Sequence, residues 1–158
     1  MLGCLANSVA GAEVSKPGNH VLVIFTNPEK FSDIRDGNFP TAAGRDRILA
    51  SIREFITQRA AAYLPVGDAF YINFVDVSLA GKLTLGDVDD IRVMTRASSP
   101  AFTFGWAVTD PKGAVLKKGS EMLRDDEYRN LWSPAPPGDK LRFEKAVLDD
   151  WMRRNLQA

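Results

Sequence analysis

Residues 101–122 read AFTFGWAVTDPKGAVLKKGSEM. In the first nine, Phe102, Phe104, Trp106 and Val108 alternate with Thr103, Gly105, Ala107 and Thr109. A period of two turns one set toward a core and the other toward water, the pattern of a half-buried antiparallel strand. Asp110-Pro111-Lys112-Gly113 then reverses the chain, because proline is preset for the first corner and glycine takes positive φ freely. The returning partner, Ala114 to Met122, carries Lys117 and Lys118, which keep a strand wet and discourage pairing at an edge.

Upstream, His20 to Thr26 (HVLVIFT) is apolar on both parities, which predicts an interior strand covered on both sides. A long polar loop follows over residues 27–43, a length often associated with function. Arg45 to Leu64 is the clearest helix. Ile48, Ile52, Phe55, Ile56 and Tyr63 share one stripe, and Pro65 and Gly67 stop it. Asp68 to Leu79 is a second strand. Its apolar parity changes after Phe74, so either both faces are buried or a bulge shifts the register near Phe74–Asp76. Gly86 to Asp90 is a turn before a short strand, Ile91 to Thr95.

Beyond the hairpin, Asp125-Asp126-Glu127 opens a short helical turn, and Ser133 to Gly138 (SPAPPG) is a stiff connector. Asp139 is a plausible N-cap for a last helix, Leu141 to Leu156, striped by Leu141, Val147, Leu148, Trp151 and Met152. The order is β-α-β-β-β-β-α. It predicts an α+β protein with a mostly antiparallel sheet of about five strands and two long helices packed on one face. With 158 residues in all, residues 13–158 fit one domain.

Met1 to Ala12 is small, apolar and uncharged. Ala10-Gly11-Ala12 matches a signal-peptidase site, which predicts export to the periplasm or medium with Glu13 as the new terminus. Two alternatives stand beside this. Leu2-Gly3-Cys4 partly matches a lipobox, with Cys4 lipid-anchored, and a frayed terminus of a cytosolic protein needs no export at all. Twenty Lys+Arg balance twenty Asp+Glu, giving no basic excess for nucleic acid. No apolar run approaches the length of a membrane span.

The chain also resembles an uncharacterised bacterial family, domain of unknown function 3016. The resemblance rests on Val21-x-Val23-x-Phe25, Pro28, Phe31-Ser32-Asp33-Ile34, and Val75-Asp76-Val77-Ser78-Leu79-Ala80-Gly81. Asp110-x-x-Gly113, Leu123-x-Asp125 and Phe143-Glu144-Lys145-x-x-Leu148-x-x-Trp151 complete it. It departs from the family pattern at Ser32, where threonine is favoured, and at Ser99-Pro100-Ala101, where a basic residue is expected. The resemblance implies an export signal and supplies no activity.

The chemistry is sparse. One histidine, His20, opens a strand and reads as an edge residue, so a Ser-His-Asp arrangement lacks support. No glycine-rich phosphate loop is present, and Asp87, Asp89 and Asp90 lack the alternating positions of a calcium loop. No metal or cofactor is expected. Asp76 interrupts an apolar strand and must meet a cation such as Lys82 or Arg92, or several backbone N–H groups. With Asp33 and Arg35 from the long loop it forms the candidate binding set, joined by Lys82 and by Trp132 beside the connector. The leading expectation is a small periplasmic binding or envelope-accessory domain whose partner is a small ligand or an envelope protein. The alternative is a carboxylate-dependent hydrolase using Asp33 and Asp76 as general acid and base.

Overall fold

The alternating segment forms the strand its pattern predicts, and the rest of the sheet assembles around it. The computed structural model describes residues 13–16, 19–37, 40–83 and 92–157. The cleavage and lipidation motifs around Ala10–Ala12 and Cys4, and the acidic turn Gly86–Asp90, lie outside the described residues. In chain order the elements are β1 (Glu13–Lys16), β2 (Asn19–Phe25), α1 (Ala42–Tyr63), β3 (Ala69–Ser78), β4 (Lys82–Leu83), β5 (Arg92–Val93), β6 (Ala101–Thr109), β7 (Val115–Arg124) and α2 (Arg142–Leu156). Five strands form one sheet in the order β1-β2-β3-β6-β7. Helix α1 carries the chain between β2 and β3, which therefore pair in parallel, and the other three pairings are antiparallel. This is the predicted α+β class, with two long helices on a largely antiparallel sheet.

Three expectations need correction. The short strand near Ile91–Thr95 does not join the sheet. Among the described residues Arg92–Val93 pairs with Lys82–Leu83 alone, forming a separate ribbon. The fifth strand of the sheet is instead β1, which pairs antiparallel with β2 at the sheet edge. Strand β2 is covered on one side only. Val21 and Val23 are buried, while Ile24 is 43% exposed on the far face beside Tyr71.

Helix α1 starts three residues earlier than expected because Thr41 caps it, its hydroxyl accepting the Gly44 N–H at 2.9 Å. At α2 the cap is Leu141 and not Asp139. Asp139 instead fastens the preceding turn, accepting the Leu141 N–H at 2.8 Å through its side chain. The hairpin turn is as read: Gly113 takes φ +86°, and the Asp110 carboxylate accepts the N–H groups of Lys112 and Ala114.

Both helices cover one face of the sheet. Val21, Val23, Phe70, Ile72, Phe74, Phe102, Phe104 and Val108 supply the sheet side of the core. Trp151 is the central helical contact. Its ring centroid lies 4.9 Å from Phe104 and 5.2 Å from Trp106, both edge-on, and 6.2 Å from Phe70. The helices are also cross-tied. Arg59 and the Tyr63 hydroxyl, both from α1, donate to the buried Asp149 carboxylate of α2 at 2.7 and 2.9 Å. Truncation of Trp151 removes the contact shared by three strand aromatics, so Trp151→Ala is expected to cost about 3–5 kcal/mol in urea unfolding. A loss under about 1 kcal/mol would show that α2 does not hold the sheet through this side chain.

Candidate functional site

The site begins at a bulge. Strand β3 pairs Phe74 with Phe104, then skips Val75 and pairs Asp76 with Thr103 and Val77 with Phe102. The extra residue leaves Phe74 and Val77 both in the core and turns Asp76 out of it. There its Oδ1 accepts the Ser32 N–H and its Oδ2 accepts the Ser32 hydroxyl, each at 2.7 Å. Ser32 leads directly into Asp33, which bridges to Ser78 as a short parallel extension of the sheet. The Asp33 N–H donates to the Val77 carbonyl at 3.2 Å, and its own carbonyl accepts the Leu79 N–H at 2.8 Å.

Asp33 and Arg92 then form a two-pronged ion pair, Nη1 to Oδ2 and Nη2 to Oδ1, both at 3.1 Å. Burial pushes the Asp33 carboxyl up, but the Arg92 guanidinium and the Arg35 contacts outweigh it and hold the acid below its ordinary value. Arg92 also donates to the carbonyls of Arg35, Ala80 and Gly81 at 2.8–3.4 Å. The Ala80-Gly81 turn is gripped from its other side by Glu144, whose Oε1 accepts the Ala80 N–H at 2.6 Å. Gly81 is required here: its φ is +78°, and a Cβ would sit 2.7 Å from the Met94 sulfur and 3.0 Å from the Val93 carbonyl oxygen.

These contacts enclose a cleft of about 710 Å³. It lies past the carboxyl ends of the parallel pair, between the first turns of α1, the 79–83 and 92–94 segments, and the chain entering α2. Its walls are partly apolar, with Ile48, Leu79, Leu83, Met94 and Phe143. Arg35, Arg47, Arg92, Lys140 and Arg142 bring five cations to it, against the three acids Asp36, Asp139 and Glu144. Asp36 faces Arg47 at 3.7 Å, and Asp139 is paired with Lys145 at 2.7 Å. Glu144 is different. It is 2% exposed, its Oε2 has no hydrogen-bond partner among the described residues, and burial pushes its carboxyl up. The Ala80 N–H and the Arg92 charge oppose that shift without cancelling it.

Of the residues singled out in the sequence, Asp33 and Arg35 come together at 3.3 Å, and Arg35 reaches the cleft. Asp76 neighbours them through Ser32, yet its expected cation is absent among the described residues. Arg92 serves Asp33 instead, and Lys82 is exposed on β4. Trp132 is 72% exposed and outside the cleft lining. His20 is exposed near the start of β2, which lies inside the sheet between β1 and β3. Glu144 was missed as a site residue. Its signal was present: it falls three residues after Leu141 and four before Leu148, in phase with the apolar stripe of α2, where a carboxylate is out of place.

A model of a protein family of unknown function, DUF3016, matches residues 19–154. The chain belongs to this family. No curated protein and no solved structure matches it.

Two predictions follow from the charges. Glu144 has a raised folded-state value, so its stabilising contribution is complete below the ordinary value of 4.5 and is lost as pH rises through the folded value. Glu144→Gln is therefore expected to match the parent in urea unfolding at pH 4 and to exceed it at pH 7.5. Equal curves at both pH values would show that the carboxyl is not buried in solution. Asp33 has the opposite sign: its contribution is present above its ordinary 3.8 and is lost as pH falls through the lowered value. Arg92→Ala should cost about 2 kcal/mol at pH 7, and progressively less on acidification.

Proposed function

We propose that this protein is a small exported binding or accessory domain of the bacterial envelope, and that its ligand occupies the cleft at the start of α2. The observation that carries this reading is the buried Glu144 Oε2, without a partner among the described residues, in the lining of an open, partly apolar cleft rimmed by cations. A volume of about 710 Å³ falls in the range of small-molecule sites. Export is supported by the Ala10-Gly11-Ala12 sequence, and the single Cys4 lies before it, so cleavage there would leave a chain free of thiols. No helix among the described residues is long and apolar enough to cross a membrane, and no three His, Cys, Asp or Glu side chains among them converge as a metal site.

The hydrolase alternative draws less support. A general acid or base needs a carboxylate free to exchange a proton with substrate. Both Asp33 oxygens face Arg92, and both Asp76 oxygens receive Ser32. These contacts suit anchoring of the 31–36 segment better than proton transfer.

The test is a thermal-shift screen of metabolites and cell-wall fragments, repeated with cleft and connector variants. A ligand at 100 times its dissociation constant adds about 2.7 kcal/mol, or roughly 5–10 °C for a domain of this size. Ser51→Trp, which fills the cleft from α1, is expected to abolish the shift while the unliganded protein still melts cooperatively. Trp132→Ala should leave it intact. The reverse pattern would move the site to the connector. Asp33→Asn and Asp76→Asn are each expected to lower the melting temperature. Either variant retaining its stability while losing a measured hydrolytic activity would favour the catalytic alternative.

A further inference from the structure

The cleft has an uneven electrostatic character that narrows the class of ligand. Among its described lining residues, Asp36 and Asp139 are already paired, with Arg47 and Lys145. Lys140 and Arg142 have no ion-pair partner among the described residues, and both flank the start of α2. Arg142 is held in place by the Phe143 ring, its guanidinium carbon 5.8 Å from the centroid. The first turns of α1 and α2 both open on the cleft, adding the positive ends of two helix dipoles. No side chain caps α2. Burial pushes the Glu144 carboxyl up, and its Oε1 is already taken by the Ala80 N–H.

We propose that the cleft selects amphipathic anions, with the acidic head between Lys140 and Arg142 and the apolar body against Leu79, Leu83 and Met94. This rests on the reading of the cleft as a ligand site and specifies what enters it. A purely polar anion would leave the Leu79–Leu83–Met94 wall wet, and a neutral apolar molecule would leave the rim charges without a partner. A cationic amphiphile meets two like charges, Lys140 and Arg142, that no acid among the described residues offsets.

The experiment titrates the protein calorimetrically with decanoate, decanol and decylamine, each below its aggregation concentration, in low salt. Decanoate is expected to bind at least about tenfold tighter than either congener, a factor within reach of one desolvated charge contact. Lys140→Gln with Arg142→Gln should erase that preference by weakening decanoate to the level of decanol, with the variant still melting cooperatively. Equal binding of decanoate and decanol, or tighter binding of decylamine, would overturn the anion preference and leave the cleft reading standing. Inorganic phosphate displacing decanoate at equal concentration would overturn the apolar half of the proposal. Binding to anionic vesicles with none to monomeric decanoate would also overturn it. If none of the three probes binds, and Ser51→Trp changes no thermal shift in the wider screen, the cleft reading itself fails.

Discussion

A strand that must bury side chains on one face has no room for a carboxylate at an inward position. β3 resolves this with a single unpaired residue, Val75, which keeps Phe74 and Val77 in the core and sends Asp76 out between them. The rest of the site depends on that slip. Asp76 holds Ser32, Ser32 sets Asp33 beside Ser78, and Asp33 fixes the Arg92 guanidinium over the Ala80-Gly81 turn. Without the bulge, Asp76 would enter the aromatic cluster at a cost of several kcal/mol, and the 31–36 segment would lose its anchor. The bulge is a backbone event, yet its consequence is where a cation stands some fifteen residues later.

The charged groups fall into two kinds. Asp149 receives Arg59 and the Tyr63 hydroxyl, and Asp139 receives Lys145 and the Leu141 N–H. Such groups are satisfied, and they fix the approach of one segment to another. Glu144 accepts the buried Ala80 N–H with one oxygen and keeps the other buried without a partner among the described residues. A leucine or methionine would pack on the stripe but leave the Ala80 N–H without an acceptor, so Oε1 has a structural task. Oε2 is the polar atom that the fold among the described residues does not use.

Strong periodicity made most of the fold legible. The 101–109 strand, the Asp110–Gly113 turn and both long helices follow from side-chain pattern and turn chemistry, while the parity change in β3 left a bulge as one of two readings. What the pattern could not give was pairing. Leu22 and Ile24 are as apolar as any interior strand residue, and nothing local says that the second sheet face stays bare. β1 is short and its edge role comes wholly from its partner, β2. The site was half legible for a related reason. Asp76 breaks an apolar strand and Asp33 stands in the long polar loop, but the partner of Asp33 lies 59 residues away and that of Asp76 44, and sequence spacing does not encode such contacts. Arg92 was weighed as a partner for the wrong carboxylate.

The bare face of the sheet is the rival location for function, and its composition argues against it. Ile24, Tyr71, Val75 and Met122 are exposed there, but Asn73, Gly105, Ser120 and Lys118 stand among them in the paired rows. Isolated apolar side chains on a wet sheet are ordinary, and only a continuous patch of several hundred Å² asks for a partner. The cleft is unlike this in each respect. It is concave, its apolar wall is continuous with the core through Leu79, and most of its charges are held by ion pairs or a ring contact. Preorganised charge beside apolar surface lowers the cost of ordering a ligand, since the protein has already met the expense of holding those groups in place. A chain that spends a buried carboxyl and a strained glycine turn on one end of its sheet, and leaves the broad face plain, concentrates its chemistry where the strands stop.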